Sequence, residues 1–524
     1  MLSFIFFVAY TTIFPPEVQE TLENNNTQQV TQPLGESQTQ TPTASQSVGH
    51  TISSDESMLS SNSSDLVTIT TKDFILKVDT LGRIASKVML ADKFNDKEDN
   101  HAELVPSNGA KPLFIRFADN KVNESAMATT YKTNKKEITL KAGESQEVTL
   151  IQTLPDVTVE KKLTFYSDGH YDIAVNLSNT KRYYIYLGKR PDINKKMMTV
   201  VGSMIYAGDD LTTIFADGDV EGRTTFNDVH LASAFDQYYA TIFYDFAPDV
   251  NVIVERDRDD NPIVYLDGTQ AMSLHGYIGP KDHKVLHAIN PVLTNAIEYG
   301  WFTFASRPLF SLLSWLHGFF GNWGWAIIAL TLIIRLFLYP LTYRGMMSMQ
   351  KIKDLAPRIK EIREKHKSDP QRMNAATMEM YKKHGANPLG GCLPLLLQIP
   401  VFFAIYRVLL NAVELQGAPW LLWVNDLSRM DPYYVLPVLM GISMFYQQKM
   451  TPTNFTDPMQ EKIFKYLPVV FTFFFVTFPS GLVLYWFVNN LFSIAQQFVV
   501  NRNYAAQKAA LHEAHLAEKH HDKN

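Results

Sequence analysis

Long apolar runs in the second half of the chain constrain its fold more than any other feature. A helix of about 20 apolar residues crosses the hydrocarbon core of a bilayer. Five runs approach or reach that length, namely 323–343, 392–413, 433–448, 464–478 and 480–500. They predict a helical membrane core of five transmembrane helices. The seven tryptophans all lie between Trp301 and Trp486, so this half also holds the side chains that favour membrane interfaces.

The first half of the chain has a different pattern. Between residues 66 and 290, many segments alternate apolar and polar side chains, as in VTVEKKLTFYS and YDIAVNLSN, and turn signals separate several of them. Alternation with a period of two predicts half-buried strands, so we expect a large antiparallel β-sandwich domain over 66–290. One cysteine, Cys392, excludes an intramolecular disulfide framework.

The N-terminal residues form two short regions. Residues 2–14 are an uncharged apolar run without a basic start, too short for an ordinary span. We interpret 1–14 as a signal anchor whose upstream residues are missing, or as a signal peptide core, in preference to a buried strand. Residues 15–65 are rich in Gln, Thr, Ser and Asn, and such a composition predicts a flexible tether.

The segment that precedes the first long run is apolar but interrupted. Residues 291–320 are rich in aromatic side chains and are broken by Pro308. This composition predicts interfacial helices that lie along the membrane surface. A further span at 309–320 is the alternative, although 12 residues are too few to cross a bilayer.

Loop charges set the orientation of the membrane core, which we take as 321–502. Residues 344–386 contain 11 Lys and Arg against five Asp and Glu, whereas the only Lys or Arg in 414–432 is Arg429. The positive-inside rule places 344–386 in the cytoplasm. The β domain is then periplasmic, in agreement with an exported domain behind an N-terminal anchor, and the tail 503–524 is cytoplasmic.

The basic loop 344–386 has a structure of its own in this prediction. Apolar residues at helical spacing precede and follow the break at Ser368-Asp369-Pro370, and the second helix ends near Gly385. This pattern predicts a helical hairpin outside the membrane. Its basic face could contact ribosomal RNA or anionic lipid, or could simply be solvated.

Arg335 is the most informative single residue. It lies thirteenth in the run of 21 residues, close to the middle of the bilayer, where an arginine costs about 2.5–3.5 kcal/mol. Such side chains usually face a polar interior, which we favour over snorkelling toward the cytoplasm. Polar residues in the other runs either make contacts between helices or line a polar concavity together with Arg335: Gln398, Gln447, Gln448, Asn489, Asn490, Gln496 and Gln497. Arg407 lies near the outer end of its run, where snorkelling is the better interpretation.

Signals for catalysis or cofactors are weak. The formal net charge of −5 gives no global basic excess for nucleic acid. Asp217, Asp219, Glu221 and Asp228 approximate a calcium loop but lack its final Glu and flanking helices, so we favour a plain acidic turn. We find no convincing Ser-His-Asp set or phosphate loop, and predict no catalytic residue, metal or cofactor.

Four ordered motifs carry a family resemblance. They are NPLGGCLPLLLQIPVFFAIY (387–406), DPYYVLPVLMG (431–441), TDPMQEKI (456–463) and FPSGLVLYWFVNN (478–490). They resemble the YidC family of membrane protein insertases, strongly over roughly 291–502. The order of anchor, exported β domain and five-span core is similar to the bacterial form with a periplasmic domain.

The resemblance implies an activity and a site. Such proteins insert newly made proteins into the inner membrane and help them fold, alone or beside the Sec translocon. The family's hydrophilic groove would be formed by residues that match its motif positions, namely Arg335, Thr331, Gln398, Gln448, Tyr485 and Trp486. The hairpin 344–386 and the C-terminal tail would contact substrate, ribosome or Sec. The implied partners are nascent membrane proteins and the lipid bilayer, and no bond-making chemistry is implied.

Two other classes of function remain open from the residues. A secondary transporter would also place an ionisable residue at mid-membrane, but it usually has inverted repeats, which we do not find. A tethered sugar-processing enzyme would explain the β domain, but it would need paired carboxylates in a cleft, which the sequence does not single out.

Overall fold

The computed structural model describes residues 63–95, 100–193, 199–208, 211–247, 250–299, 302–367, 369–386, 388–451 and 458–521. The predicted N-terminal anchor and nearly all of the predicted tether lie outside these residues. The described chain consists of a β domain followed by helices.

The strands of the β domain lie between Asp65 and Pro280. In chain order they are β1 (Asp65–Thr70), β2 (Phe74–Asp79), β3 (Ile84–Met89), β4 (Ile115–Phe117), β5 (Lys132–Thr133), β6 (Glu137–Thr139), β7 (Ser145–Thr153), β8 (Thr158–Tyr166), β9 (His170–Leu177), β10 (Tyr183–Tyr186), β11 (Gly202–Ala207), β12 (Leu211–Ala216), β13 (Thr224–Phe226), β14 (Val229–Phe235), β15 (Tyr239–Tyr244), β16 (Asn251–Arg256), β17 (Pro262–Gly268) and β18 (Ala271–Pro280). One helix, α1 (Asn120–Ala128), interrupts the strand order.

These strands form three sheets. The four-stranded sheet has the order β3-β2-β1-β6, the five-stranded sheet β13-β16-β17-β10-β4, and the nine-stranded sheet β12-β11-β14-β15-β18-β9-β8-β7-β5. Strands β1 and β6 pair in parallel, and the other pairings of the described strands are antiparallel. The β-rich domain is therefore confirmed, with one parallel pair that the alternation did not indicate.

Alternation explains why these segments are strands. Along β9, Tyr171, Ile173, Val175 and Leu177 are buried while the intervening residues are more exposed. A strand puts successive side chains on opposite faces of its sheet, so this spacing gives one apolar face for the core. Buried residues from all three sheets form a single apolar cluster, which also includes Val413 from the helical half.

Charged groups are buried inside this core. Asp79 and Arg83 are each about 1% exposed at the side chain, and their oxygen and nitrogen atoms lie 2.8 Å apart. Lys161 occupies an inward position of β8 and donates to the carbonyls of Gly82 at 2.9 Å and Leu113 at 2.8 Å. Burial lowers the pKa of Lys161 to about 7, because the charged ammonium is poorly solvated there.

The helices follow the β domain. They are α2 (His283–Ile289), α3 (Thr303–Phe320), α4 (Trp323–Lys365), α5 (Pro370–Lys383), α6 (Pro388–Asn411), α7 (Val435–Met450), α8 (Pro458–Phe475) and α9 (Ser480–His521). Two segments in the described part of the chain are long and apolar enough to cross a membrane, Trp323–Lys365 and Ser480–Ala510, and Gln398–Asn411 is a shorter apolar helix. The count of five spans stays a prediction.

The predicted break in the basic loop is present. Helix α4 ends at Lys365, α5 begins at Pro370, and Asp369 caps α5 by accepting from the backbone N–H of Arg372. Leu355 and Ile359 of α4 form a small apolar cluster with Ala386. Helix α4 continues without interruption from its apolar half into this hairpin, and it contains both Pro340 and Pro357.

The last turn of α6 and the residues that follow it form the segment that joins the β domain to the helices. Gln237, in the turn between β14 and β15, donates to the carbonyl of Leu410 at 2.6 Å, and Arg429 donates to the carbonyl of Asn95 at 3.1 Å. Gly417 has a φ of +62°, and a Cβ at this position would lie 2.7 Å from the Cβ of Lys93. Hydrogen bonds and close packing therefore fix the β domain against this segment.

Glu414 lies in this joint and makes it sensitive to pH. Its carboxylate accepts from the backbone N–H of His283 at 3.0 Å. Burial, with a further contribution from Asp282, raises the pKa of Glu414 to about 7. Lys284 and Tyr299 also face this carboxyl. A carboxyl whose pKa is raised on folding costs stability as pH rises from its unfolded pKa to its folded one.

We expect Glu414→Gln to remove this cost while keeping the hydrogen bond to His283. The free energy of unfolding of the two proteins should coincide near pH 4.5, and the variant should be more stable at pH 8 by up to about 3 kcal/mol. Thermal unfolding in detergent between pH 4 and 8 measures the difference. Burial lowers the pKa of His283, which opposes the trend in both proteins and cancels in the difference. A difference that does not change with pH would contradict the prediction.

Candidate functional site

The guanidinium of Arg335 is held by helix α9. Its Nε donates to Oδ1 of Asn489 at 2.8 Å, and its Nη2 donates to Oγ of Ser493 at 2.7 Å and to the backbone oxygen of Asn489 at 3.3 Å. Asn489 and Ser493 are four residues apart, so they lie on one face of α9. Arg335 thus points into the interface between α4 and α9.

A ladder of side-chain hydrogen bonds fixes the register of these two helices. Partners 154 residues apart recur along it, joining Arg335 to Asn489, Thr342 to Gln496 and Asp354 to Lys508. Residue numbers rise together on both helices, so α4 and α9 run parallel. The ladder holds Asn489 opposite Arg335, because a shift of either helix would break bonds at several levels at once.

The positive charge of Arg335 has no acidic partner among the described residues. Its three hydrogen bonds go to an amide oxygen, a peptide oxygen and a hydroxyl, which are all neutral acceptors. Nη1 makes no hydrogen bond within the described part of the chain. A partly buried guanidinium with neutral partners remains available to an incoming anion, since its charge is solvated but not cancelled.

Thr331 lies one turn before Arg335 on α4, and Tyr485 lies one turn before Asn489 on α9. Thr331 is 1% exposed, and its hydroxyl donates to the carbonyl of Ile327 at 2.7 Å within α4. Tyr485 is 4% exposed and lies close enough to Arg335 to interact with it electrostatically. Tyr485 precedes Asn489 by four residues, so the structure brings Tyr485 and Arg335 together on the facing sides of α9 and α4.

Trp486 is directed elsewhere and belongs to an aromatic cluster. Its ring centroid lies 4.7 Å from that of Phe402 on α6 and 4.8 Å from that of Phe475 on α8. Phe471 adds a further ring at 6.2 Å. The cluster joins α6, α8 and α9 through an apolar surface that is only partly buried at Trp486.

The two predicted glutamines are less closely associated with Arg335. Gln448 donates to the carbonyl of Phe464 and so ties α7 to α8. Gln398 is partly buried on α6. The sequence prediction did not single out Ser493 at all and did not distinguish Asn489 from its neighbour Asn490, although the spacing of Tyr485, Asn489 and Ser493 on one helix face could have indicated them.

Helix α3 has one buried and one exposed face beside this helical group. Phe310 and Leu313 are buried, whereas Phe304, Trp315 and Phe319 are 75%, 66% and 77% exposed. Ser306 donates to the carbonyl of Ala404 on α6 at 3.2 Å. An aromatic outer face of this kind is typical of helices at a membrane surface.

The polar sites of the β domain are internally paired. A cavity of about 610 Å³ is bordered by Asn176, Arg182 and Asp267, but the carboxylate of Asp267 already accepts from Nε and Nη2 of Arg182. Asp217, from the acidic turn, accepts from Arg190 at 2.6 Å and 2.9 Å. Within the described residues, no group of three or more His, Cys, Asp or Glu is placed to hold a metal ion.

Comparison with known proteins identifies similar sequences over most of the chain. The sequence profile described as 60Kd inner membrane protein matches residues 315–508, and that described as YidC periplasmic domain matches residues 237–312. The chain is 46% identical over 508 residues to the membrane protein insertase YidC of Campylobacter jejuni, covering 97% of this chain and 95% of the relative. It is 43% identical over 465 residues to the YidC of Helicobacter pylori, covering 83% and 84%.

Solved structures are similar to this chain at a lower level. An active YidC insertase with its first transmembrane domain resolved is 21% identical and covers 84% of this chain and 95% of that one, at a TM-score of 0.36.

Proposed function

Because the chain belongs to the YidC family of membrane protein insertases, we propose that it inserts newly made proteins through a hydrophilic groove around Arg335. The family consists of inner membrane proteins with a periplasmic domain. The observation that carries the proposal is a guanidinium near the middle of the apolar run 323–343 whose hydrogen-bond partners are all neutral. In this groove we include Thr331, Gln398, Gln448, Tyr485 and Trp486.

The first step that we propose is electrostatic. A substrate tail with acidic residues loses hydration when it leaves the cytoplasm, and the charge of Arg335 replaces part of that solvation. Neutral polar groups of α4 and α9 supply further hydrogen bonds. No covalent bond is made or broken, so the protein lowers a desolvation barrier and does not act as an enzyme.

The membrane potential supplies direction. A potential that is negative inside moves an acidic tail outward with about 2.3 kcal/mol per charge per 100 mV. The apolar segment of the substrate then leaves the groove past the aromatic cluster at Trp486 and gains hydrophobic burial among lipid chains. The partly buried position of Trp486, between apolar rings and the surface, supports this exit route.

Short helices support local thinning of the bilayer. Helix α7 has 16 residues and α8 has 18, or about 24 Å and 27 Å at 1.5 Å per residue, against about 30 Å of hydrocarbon. A mismatch of this size favours a thinner bilayer beside the helices. A thinner bilayer shortens the path over which the polar tail must travel.

Partners follow from the proposed topology. Five spans with the β domain in the periplasm place the hairpin (344–386) and the tail (503–524) in the cytoplasm, where nascent chains emerge. We propose contacts of these two segments with the ribosome, and of the protein with the Sec translocon. Their basic residues suit an anionic partner, and the salt bridge of Lys508 with Asp354, at 2.7 Å, supports a tail anchored to α4.

Vesicles that hold only this protein provide the test of function. A substrate with an acidic tail and one apolar segment is added from outside, and the tail that reaches the lumen is counted by its protection from protease. We expect more protection than in protein-free vesicles, and an increase when the lumen is made positive. Equal protection in both kinds of vesicle would reject insertion by this chain alone. Accumulation of a small solute without protection would favour a transporter.

A further inference from the structure

Two adjacent asparagines of α9 face different neighbours. Asn489 accepts from Nε of Arg335 at 2.8 Å, whereas Asn490 is 3% exposed and donates to Oγ of Ser443 on α7 at 3.2 Å. Residues next to each other on a helix point about 100° apart. Asn489 therefore contacts the arginine, and Asn490 joins α9 to α7.

We propose that Asn489 and Ser493 are positioning residues that hold the Arg335 guanidinium in one orientation for the substrate anion. This inference rests on the proposed function of Arg335. Ser493 is 2% exposed, accepts from Nη2 at 2.7 Å and donates to the backbone oxygen of Asn489 at 2.9 Å. The acceptors occupy Nε and Nη2 and leave Nη1 as the nitrogen that can donate to an acidic group.

The proposed positioning role requires that Asn489 and Ser493 are uncharged. An acidic residue at either position would orient the guanidinium equally well, but it would cancel the charge that the substrate must sense. An apolar residue would leave the charge uncancelled, but the guanidinium would be free to rotate. Its loss of rotational freedom on binding would then weaken its interaction with the substrate anion. An amide and a hydroxyl orient the group and preserve its charge.

The register of α4 and α9 supports positioning over simple helix adhesion. Thr342 with Gln496 and Asp354 with Lys508 already hold the helices at the same offset of 154 residues. Removal of one rung at Arg335 leaves those contacts in place. The loss of Asn489 should therefore change the orientation of the guanidinium much more than the packing of the helices.

The test measures insertion into vesicles of two substrates that differ only in an acidic or a neutral tail. Asn489→Ala with Ser493→Ala should lower insertion of the acidic substrate about threefold to tenfold and leave the neutral one nearly unchanged. Asn489→Asp, which keeps the shape, should reduce acidic-tail insertion as far as Arg335→Ala does. Asn490→Ala is the matched control, and it should not discriminate between the two tails.

A double-mutant cycle separates positioning from a structural role. In an Arg335→Ala background, the Asn489 and Ser493 changes should have no further effect on the acidic substrate. Equal losses for both tails, or an undiminished loss in that background, would overturn the inference. If Arg335→Ala itself leaves insertion unchanged, the proposed function fails. If Arg335→Ala lowers insertion of the acidic substrate but the Asn489 and Ser493 variants do not, the positioning inference alone fails.

Discussion

Replacing Arg335 with alanine is expected to lower the insertion of substrates with acidic tails by about tenfold or more. A hydrogen bond to a charged group contributes about 1.5–3 kcal/mol, and each 1.4 kcal/mol changes a rate about tenfold. The variant loses the guanidinium that α9 holds through Asn489 and Ser493. Protease protection of the tail in vesicles at a fixed membrane potential measures the effect.

Two comparisons make this result specific. A substrate with a neutral tail should insert into vesicles of the alanine variant almost as well as into wild-type vesicles, because its tail has no charge to attract. Arg335→Lys should give an intermediate rate, since it keeps the charge but not the fork of Nε and Nη2 donors. The groove hypothesis is wrong if the alanine variant inserts every acidic tail at the wild-type rate.

Loss of the carboxylate of Asp79 is expected to destabilise the β domain by about 3–5 kcal/mol. Removing one partner of a buried ion pair leaves the other charge without compensation in a poorly solvated place. Both side chains are about 1% exposed, and Asp79 also accepts from the backbone N–H groups of Leu81 and Arg83, each at 3.0 Å. Asp79→Ala therefore removes an ion pair and two side-chain hydrogen bonds of the turn at the same time.

The exposed pair of Lys77 and Asp65 is the matched control. Its atoms lie 2.7 Å apart, but the side chains are 41% and 47% exposed, and such pairs contribute about 1 kcal/mol or less. Brief proteolysis of the full-length chain in detergent over a urea series should show loss of the β domain at lower urea for Asp79→Ala, and little shift for Asp65→Ala. Equal shifts for the two variants would contradict the prediction, because they would show that the buried pair stabilises the β domain no more than the exposed pair does.

Much of the architecture follows from local patterns in the sequence. The alternation in segments such as 158–166 and 170–177 predicts strands, and β8 and β9 occupy those residues. The predicted break is present, since α4 ends at Lys365 and α5 begins at Pro370. A strand or a helix buries one face, so its apolar residues recur in the sequence at the period of that element and can be recognised there.

The candidate site was only partly predictable. The position of Arg335 in an apolar run indicated a polar interior, but no local pattern indicated its partners, which lie 154 and 158 residues away. Likewise Lys161 reads as a polar residue of a strand, whereas it is buried against carbonyls 79 and 48 residues distant. The period of two placed Lys161 inward, but its polarity argued for the surface.

The sequence by itself determined the division into a β domain and an apolar helical region, and the basic segment that follows the first apolar run. Those properties depend on periodicity, run length and charge counts, which are local sums over neighbouring residues. Only the tertiary structure decided that Asn489 meets Arg335 while Asn490 meets Ser443, and that Glu414 is buried against His283. Such pairings depend on how distant elements pack and in which register, and a hydrogen bond forms or fails within a few tenths of an ångström.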